Sequence, residues 1–194
     1  MKGNQADSNW SLVIGLVVLA CASRCISPLL LSQPSNFAPL TAIALFSGAR
    51  FKDTRSAIAI PFLAVFVSDA LVNGALYGNY SPFYEGFYWQ YSAYLAVSLL
   101  GSYCRSVESM APILGLGLGS SVIFFVISNI GVWLGSGLYD QSLNGLALCF
   151  TMALPFLKGS IASDLAFSLV LFGAYSFLVK AVKTNRSGAC LATS

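Results

Sequence analysis

The chain has 194 residues, of which 57% are hydrophobic and only 9% are charged, against about 25% charged in a typical soluble domain. This composition excludes an ordinary soluble globular protein and predicts a single integral membrane domain over residues 1–194. The net charge of +3 comes from basic residues scattered among short loops, so no nucleic-acid partner is predicted. Histidine is absent, which excludes histidine zinc sites, haem ligation by histidine, and Ser-His or Cys-His dyads.

Six apolar segments are predicted to cross the lipid bilayer as helices, which gives an all-α polytopic membrane bundle. A bilayer core of about 30 Å needs about 20 apolar residues in a helix. The predicted spans are 10–31, 36–51, 56–77, 88–104, 110–135 and 160–181. The span 36–51 is short, and Pro34 and Pro39 at its entrance indicate a helix that begins within the bilayer.

The segment 143–157 is predicted to be a short or re-entrant helix rather than a seventh span. Pro155 and Gly159 interrupt its apolar pattern. Irregular backbone at membrane depth is tolerated only where it lines a cavity or is buried in protein. Whether this segment spans the bilayer or re-enters it stays open.

The basic residues predict the orientation through the positive-inside rule. With a cytoplasmic N-terminus and six crossings, the loop that carries Arg50, Lys52 and Arg55 faces the cytoplasm. Arg105 and the basic C-terminal tail then face the same side. Arg24 and Lys158 are the two exceptions among the ten Lys and Arg residues, and both are predicted on the outer side.

Charged side chains inside the apolar segments are the main functional signal. Asp69 lies in the run AVFVSDALV, eight residues from the outer end of its predicted span, and Arg24 lies seven residues from the outer end of its own. At 1.5 Å per residue both lie about 10 Å deep. A charge at the bilayer centre costs at least about 2.5 kcal/mol, so such residues generally pair or face a cavity.

Asn129, Lys158 and Asp164 are predicted at a similar level in the outer half of the domain. Two interpretations of this polar set stay open. Arg24 and Asp69 are either a structural ion pair that fixes helix register, or part of a polar floor beneath a pocket that opens on the outer side.

The segment ALYGNYSPFYEGFYWQY at 75–91 surrounds Glu85 with aromatic residues. It predicts a mobile aromatic lid that stacks on a large planar ligand, and an interfacial aromatic belt is the alternative for part of it. Together with the polar set, the predicted ligand-binding residues are Arg24, Asn36, Asp69, Tyr77, Tyr84, Tyr88, Trp89, Asn129, Trp133, Lys158 and Asp164.

Four stretches resemble a known family: NFAPLTAIALFSGA at 36–49, AVFVSDALV at 64–72, FFVISNIGVWL at 124–134, and LYDQSLNGLALCFTMALPFLKGSIASDL at 138–165. They are similar to small bacterial membrane proteins related to the S components of energy-coupling-factor vitamin transporters, in particular the solitary BtuM-like cobalamin transporters. The resemblance implies six helices in the bacterial cytoplasmic membrane with both termini cytoplasmic. It also implies an outer ligand pocket closed by loops, with Asp69 close to the bound vitamin.

The chain departs from this family at two places. Residues 78–91 hold no cysteine, whereas BtuM-like proteins that remove the cyano group from cobalamin use a cobalt-ligating cysteine in this region, so that chemistry is not carried over. The first span has no AxxxA pair, the feature with which S components commonly dock their energising membrane subunit. A partnership with an energy-coupling ATPase module is therefore an open alternative.

The predicted function is a membrane protein that binds or transports a vitamin-like micronutrient, cobalamin or another corrinoid first among them. The alternative is a non-transporting membrane subunit or assembly factor whose GxxxG faces, at 115–119 and 131–135, bind partner helices. No enzyme is predicted, because no nucleophile and base are recognisable. Cobalamin is expected only as a transported ligand, and no catalytic residue, metal site or resident cofactor is predicted.

Overall fold

The computed structural model describes residues 14–24, 39–107 and 109–191, where all regular secondary structure is helical. Six helices lie in these ranges: α1 Ile14–Arg24, α2 Leu40–Arg50, α3 Thr54–Tyr77, α4 Phe87–Tyr103, α5 Met110–Gly135 and α6 Leu143–Leu191. The predicted all-helical class is confirmed. The candidate ligand residue Asn36 and the outer end of the predicted span 10–31 lie outside the described residues.

Three helical stretches are long and apolar enough to cross a membrane, namely Thr54–Ala75, Met110–Gly135 and Leu143–Val179. This is consistent with the predicted membrane location. The described parts of α1 and α2 are shorter apolar helices. Six crossings and the orientation of the termini therefore stay predictions.

The short helix α2 lies at the centre of the described bundle. Ten of its eleven residues, from Leu40 to Ala49, are buried, and it packs against α3, α4, α5 and α6. At 1.5 Å per residue it is about 16 Å long, roughly half the thickness of a bilayer core. Pro39 precedes the helix, in agreement with the prediction that prolines delay the start of this segment.

Two glycines allow α2 to approach α4 closely. A Cβ atom added to Gly48 would lie 2.9 Å from the backbone nitrogen of Ser102 and 3.0 Å from the Cα of Gly101, and one added to Gly101 would lie 3.1 Å from the Cα of Gly48. Small residues at a helix crossing let the two backbones come together in a membrane protein. The crossing of α2 and α4 therefore requires glycine at both positions.

Two arginines join the helices at the end of the bundle where α2 and α4 finish. Arg105 Nε donates a hydrogen bond to the carbonyl of Gly48 at 3.2 Å, and Arg50 Nη2 donates to the carbonyl of Val107 at 3.1 Å. The Arg50 guanidinium also lies over the ring of Phe172 in α6, 5.0 Å from its centroid. This is the end that the positive-inside rule predicts to face the cytoplasm.

Asp53 caps the N-terminus of α3 at the same end. Its carboxylate accepts hydrogen bonds from the hydroxyl of Ser56 at 2.8 Å, the amide of Ser56 at 3.0 Å and the amide of Arg55 at 3.4 Å. These bonds, those from Ser56 first, hold the pKa of the Asp53 carboxyl below its ordinary value.

We expect Asp53→Ala to lower the thermal midpoint of the protein in detergent, and Asp53→Asn to lower it less, because Asn retains a capping acceptor. A carboxyl whose pKa is depressed by folding contributes stability above its unfolded pKa, and that contribution is lost as the pH falls through the folded pKa. The difference between wild type and Asp53→Ala should therefore shrink in acid. A difference that is constant with pH would contradict the role of the charge.

The structure corrects one prediction about α6. Residues 143–191 form one helix of 49 residues with Pro155 inside it, so the expectation of a separate short or re-entrant segment at 143–157 is wrong. Proline removes one backbone hydrogen bond, but neighbouring helices make this tolerable in membrane helices. Here α6 packs along α5, and a stripe of buried residues at helical spacing passes through the segment: Gly145, Cys149 and Ala153.

Candidate functional site

A buried ion pair joins α1 to α3. Arg24 is the last described residue of α1, and its Nη1 forms a salt bridge with Asp69 Oδ1. The Asp69 side chain is only 3% exposed. The same Nη1 donates to Ser68 Oγ at 2.9 Å, and Ser68 Oγ donates to the carbonyl of Val65 at 3.0 Å. Arg24 and Asp69 are therefore in contact, and the choice between a structural ion pair and part of a ligand-binding floor stays open.

Tyrosine side chains surround this ion pair. The hydroxyl of Tyr91 donates to Asp69 Oδ2 at 3.5 Å. Tyr84, in the connection between α3 and α4, and the buried Tyr94 lie within electrostatic reach of both charges. Burial, and then the negative charge of Asp69, raise the pKa of Tyr84 above its ordinary value. The Tyr84 phenol is therefore protonated at neutral pH and remains a hydrogen-bond donor.

Aromatic rings at this end of the bundle pack on one another. Phe83 lies edge to face on Phe66 and Phe87, with ring centroids 5.9 and 5.2 Å apart. Tyr91 lies edge to face on Phe87 and Phe62, at 5.7 and 5.6 Å. Pairs of this geometry contribute about 0.5–1.5 kcal/mol beyond their burial. We call these five residues the aromatic cluster, and a ligand would extend or displace ring contacts that already exist.

The other predicted lid residues fall into two groups. Tyr77 and Tyr88 are 77% and 55% exposed, which fits an interfacial belt as well as a ligand site. Trp89 instead faces α5, where its ring lies so close to Gly131 that a Cβ atom there would overlap the indole. Its Nε1 is buried and has no hydrogen-bond partner in the part of the chain that the structure describes.

The remaining polar candidates make other contacts in the described part of the chain. Asn129 Nδ2 donates to the carbonyl of Phe125 in its own helix at 2.7 Å, and Lys158 is exposed. Trp133 Nε1 donates to the carbonyl of Asp140 at 2.9 Å and so holds the connection between α5 and α6. None of these contacts joins the three residues to the ion pair, so their convergence on one site with it stays a prediction.

Asp164 forms a second polar centre between α2, α5 and α6. Its side chain is 1% exposed, and Oδ2 accepts a hydrogen bond from Ser121 Oγ at 2.6 Å. The hydroxyl of Thr41 and the amide of Ala42, in the first turn of α2, also face the carboxylate. First-turn amides lack partners within their helix and favour a negative charge. Asp164 therefore occupies the capping position of α2, where Pro39 supplies no side-chain cap.

Several of these contacting residues are not among the candidates predicted from sequence. Tyr91 and Tyr94 could have been found from the sequence, since their i, i+3 spacing places them on one face of α4 beside the predicted lid. Ser68 could also have been found, because it adjoins Asp69. Ser121 and Thr41 could not, because hydroxyls in apolar helices commonly bond to their own backbone carbonyls.

A family model described as a family of unknown function (DUF6580) matches residues 4–186. The chain belongs to the DUF6580 family. No curated protein and no solved structure matches it. The DUF6580 description names neither a ligand nor a reaction, so the function of this member is argued from the geometry of its site.

The side chains at this end of the bundle are suited to non-covalent binding of a ligand. Within the described residues, no group of three or more His, Cys, Asp or Glu side chains is placed to hold a metal ion. The ion pair, the phenols of Tyr84 and Tyr91, and the aromatic cluster together present charged, hydrogen-bonding and planar apolar groups at one end of the bundle. Groups of these kinds bind small organic molecules.

Proposed function

We propose that this DUF6580 protein binds a small organic micronutrient at the end of the bundle that carries the ion pair and the aromatic cluster, and that it serves the transport of that molecule across a membrane. The observation that carries the proposal is the setting of the Arg24–Asp69 pair, which is surrounded by tyrosines and stacked rings. Ionisable residues inside membrane segments are rare and commonly mark substrate pathways.

The ligand class that we propose is cobalamin or another corrinoid. It rests on the resemblance to S components and on the fit between a large planar ligand and aromatic side chains. Six crossings, a bacterial cytoplasmic membrane, cytoplasmic termini and a function without catalysis belong to the same proposal. Coupling to an energy-coupling ATPase module is an extension of it.

One observation favours the second candidate function, a non-transporting membrane subunit or assembly factor. A Cβ atom added to Gly115, Gly119 or Gly135 of α5 would meet nothing within 4 Å in the described part of the chain. The GxxxG spacing at 115–119 is therefore not used for packing among the described helices. Faces of this kind bind partner helices, and the Arg24–Asp69 pair would then be structural only.

A thermal-shift screen of corrinoids and other vitamins on the purified protein tests the first function. A ligand present at 100 times its Kd should stabilise the folded protein by about 2.7 kcal/mol. Tyr84→Ala should weaken that stabilisation. Tyr103→Ala should leave it unchanged, because Tyr103 is 89% exposed at the far end of α4.

Two results would contradict the proposal. In the first, no compound stabilises the protein although an established S component responds in the same assay. In the second, Tyr84→Ala and Tyr103→Ala respond to the ligand as wild type does, which would place binding away from the ion pair.

A further inference from the structure

The carboxylate of Asp164 lies deep in the bundle, without a cationic partner among the described residues. Its side chain is 1% exposed, and the salt bridge found among the described residues joins Arg24 to Asp69 instead. A charged carboxylate inside a membrane domain is costly unless it is paired, well hydrogen-bonded or neutralised. We propose that Asp164 is a reversible proton-binding site of this protein, separate from the proposed ligand site.

The two oxygens of the Asp164 carboxyl group differ in their contacts with the described residues, although the Thr41 hydroxyl and the Ala42 amide lie close to the group. Oδ2 accepts the bond from Ser121, whereas Oδ1 is buried and has no hydrogen-bond partner of normal geometry in the described part of the chain. The hydroxyl of Ser168, one turn further along α6, is buried and equally without a partner there. An ionised carboxylate only accepts hydrogen bonds, whereas a protonated one also donates. Protonation of Oδ1 therefore removes the negative charge from an oxygen that no donor of normal geometry stabilises among the described residues.

Residues of α2 and α5 pack closely around the Asp164 carboxyl group. A Cβ atom at Gly117 of α5 would lie 3.3 Å from Ser168 Oγ and 3.7 Å from the backbone oxygen of Asp164, so α5 closes tightly over this stretch of α6. The hydroxyl of Thr41 faces the carboxyl group from α2, and a hydroxyl can accept the new O–H by rotating. Ser121 Oγ lies 2.6 Å from Oδ2 and 3.2 Å from the carbonyl of Gly117, and in this proposal its one hydroxyl proton stays on the shorter bond to Oδ2.

The groups that face Asp164 favour a proton over a metal cation. From α2 it meets the Ala42 amide and the positive end of the helix dipole, and from α5 it meets the Ser121 hydroxyl as a donor. The titratable group within electrostatic reach from α4 is Tyr94, which is neutral near physiological pH. A metal cation needs several oxygen ligands, and within the described residues no group of three or more His, Cys, Asp or Glu side chains could hold one. In the binding step a hydronium ion transfers its proton to Oδ1 and leaves as water.

Proton binding at Asp164 would weaken the capping of α2, the helix at the centre of the described bundle. The ionised carboxylate occupies the capping position of α2, and neutralisation removes its favourable interaction with the N-terminus of that helix. The first turn of α2 would then be held less firmly when Asp164 is protonated. Asp164 would respond to pH in this way whether or not a ligand binds at Arg24 and Asp69.

The test is pH-difference infrared spectroscopy on the full chain in detergent, in H₂O and in D₂O. We expect a protonated-carboxyl band that moves to lower frequency in D₂O and is lost in Asp164→Asn. The control is Asp140→Asn, which should retain the band because Asp140 lies in the exposed connection between α5 and α6. Ser121→Ala keeps the carboxyl group and covers the case in which Asp164→Asn does not fold. Its band should shift to higher frequency, because Oδ2 loses a hydrogen bond.

Persistence of the band in Asp164→Asn, or an unshifted band in Ser121→Ala, would overturn the proposal. So would a sodium site: the carboxylate bands, and the thermal midpoint at fixed pH, would then change when NaCl replaces choline chloride. Equal behaviour in the two salts supports the proton. None of these outcomes depends on the vitamin screen, so failure of the ligand site and failure of the proton site are distinguishable.

Discussion

Arg24→Ala is expected to destabilise the protein by about 3–5 kcal/mol, because it leaves the carboxylate of Asp69 buried and without its partner. The side chain of Asp69 is 3% exposed and that of Arg24 is 22% exposed, so removal of the guanidinium leaves the carboxylate in a largely desolvated position. Unfolding by a denaturing detergent, followed by circular dichroism, measures the loss.

The matched control is the double variant Arg24→Met with Asp69→Leu. Replacing both members of a buried ion pair by apolar residues of similar volume is often neutral or stabilising. The double variant should therefore be close to wild type in stability. If it is as unstable as Arg24→Ala, the helix contact depends on the shape of these side chains and not on an uncompensated charge.

The exchanged variant, Arg24→Asp with Asp69→Arg, separates the two candidate functions. It restores an ion pair with the charges reversed, so stability should recover in part. A ligand that contacts the pair should lose its stabilising effect, because its polar groups would then meet the wrong charges. Recovery of both stability and ligand response would favour the purely structural role and with it the membrane-subunit alternative.

Gly101→Ala is expected to produce the other large loss, by separating α2 from α4. The new Cβ atom would overlap the carbonyl oxygen of Leu45 and lie 3.1 Å from the backbone nitrogen of Ala49. Backbone atoms cannot rotate away as a side chain can. Overpacking of this kind costs typically about 1–3 kcal/mol and sometimes more, measurable by the same detergent unfolding.

Gly115→Ala provides the matched control for this substitution. A Cβ atom there meets nothing within 4 Å among the described residues, and alanine is the better helix former by up to about 1 kcal/mol. Gly115→Ala should therefore be neutral or stabilising. Equal losses at Gly101 and Gly115 would show that the close crossing of α2 and α4 does not govern the effect.

The helices could be predicted well because an apolar chain in lipid has few ways to satisfy its backbone hydrogen bonds. Backbone groups in a bilayer must bond within their own segment, so long apolar runs become helices. The predicted span 110–135 coincides with α5, and the span 56–77 differs from α3 by two residues at its start. The prediction at 143–157 is wrong because Pro155 does not end the helix: α6 is continuous through it and packs along α5.

The site could be predicted only in part, for a reason of geometry. Residue number along a predicted span gives depth, which placed Arg24 and Asp69 at one level, where the structure shows them in contact. Depth says nothing about rotation of a helix about its own axis. For that reason the sequence could not show that Asn129 bonds to its own backbone, or that Asp164 turns toward Ser121 and the first turn of α2.

The continuity of α6 has a practical consequence. A helix of 49 residues is about 73 Å long, while a whole bilayer with its headgroups measures about 40–45 Å. If α6 crosses a bilayer, several turns of the helix would extend beyond it even at a considerable tilt. An antibody fragment or fusion partner attached to the part of α6 outside the bilayer would enlarge the particle for electron microscopy without altering the rest of the bundle.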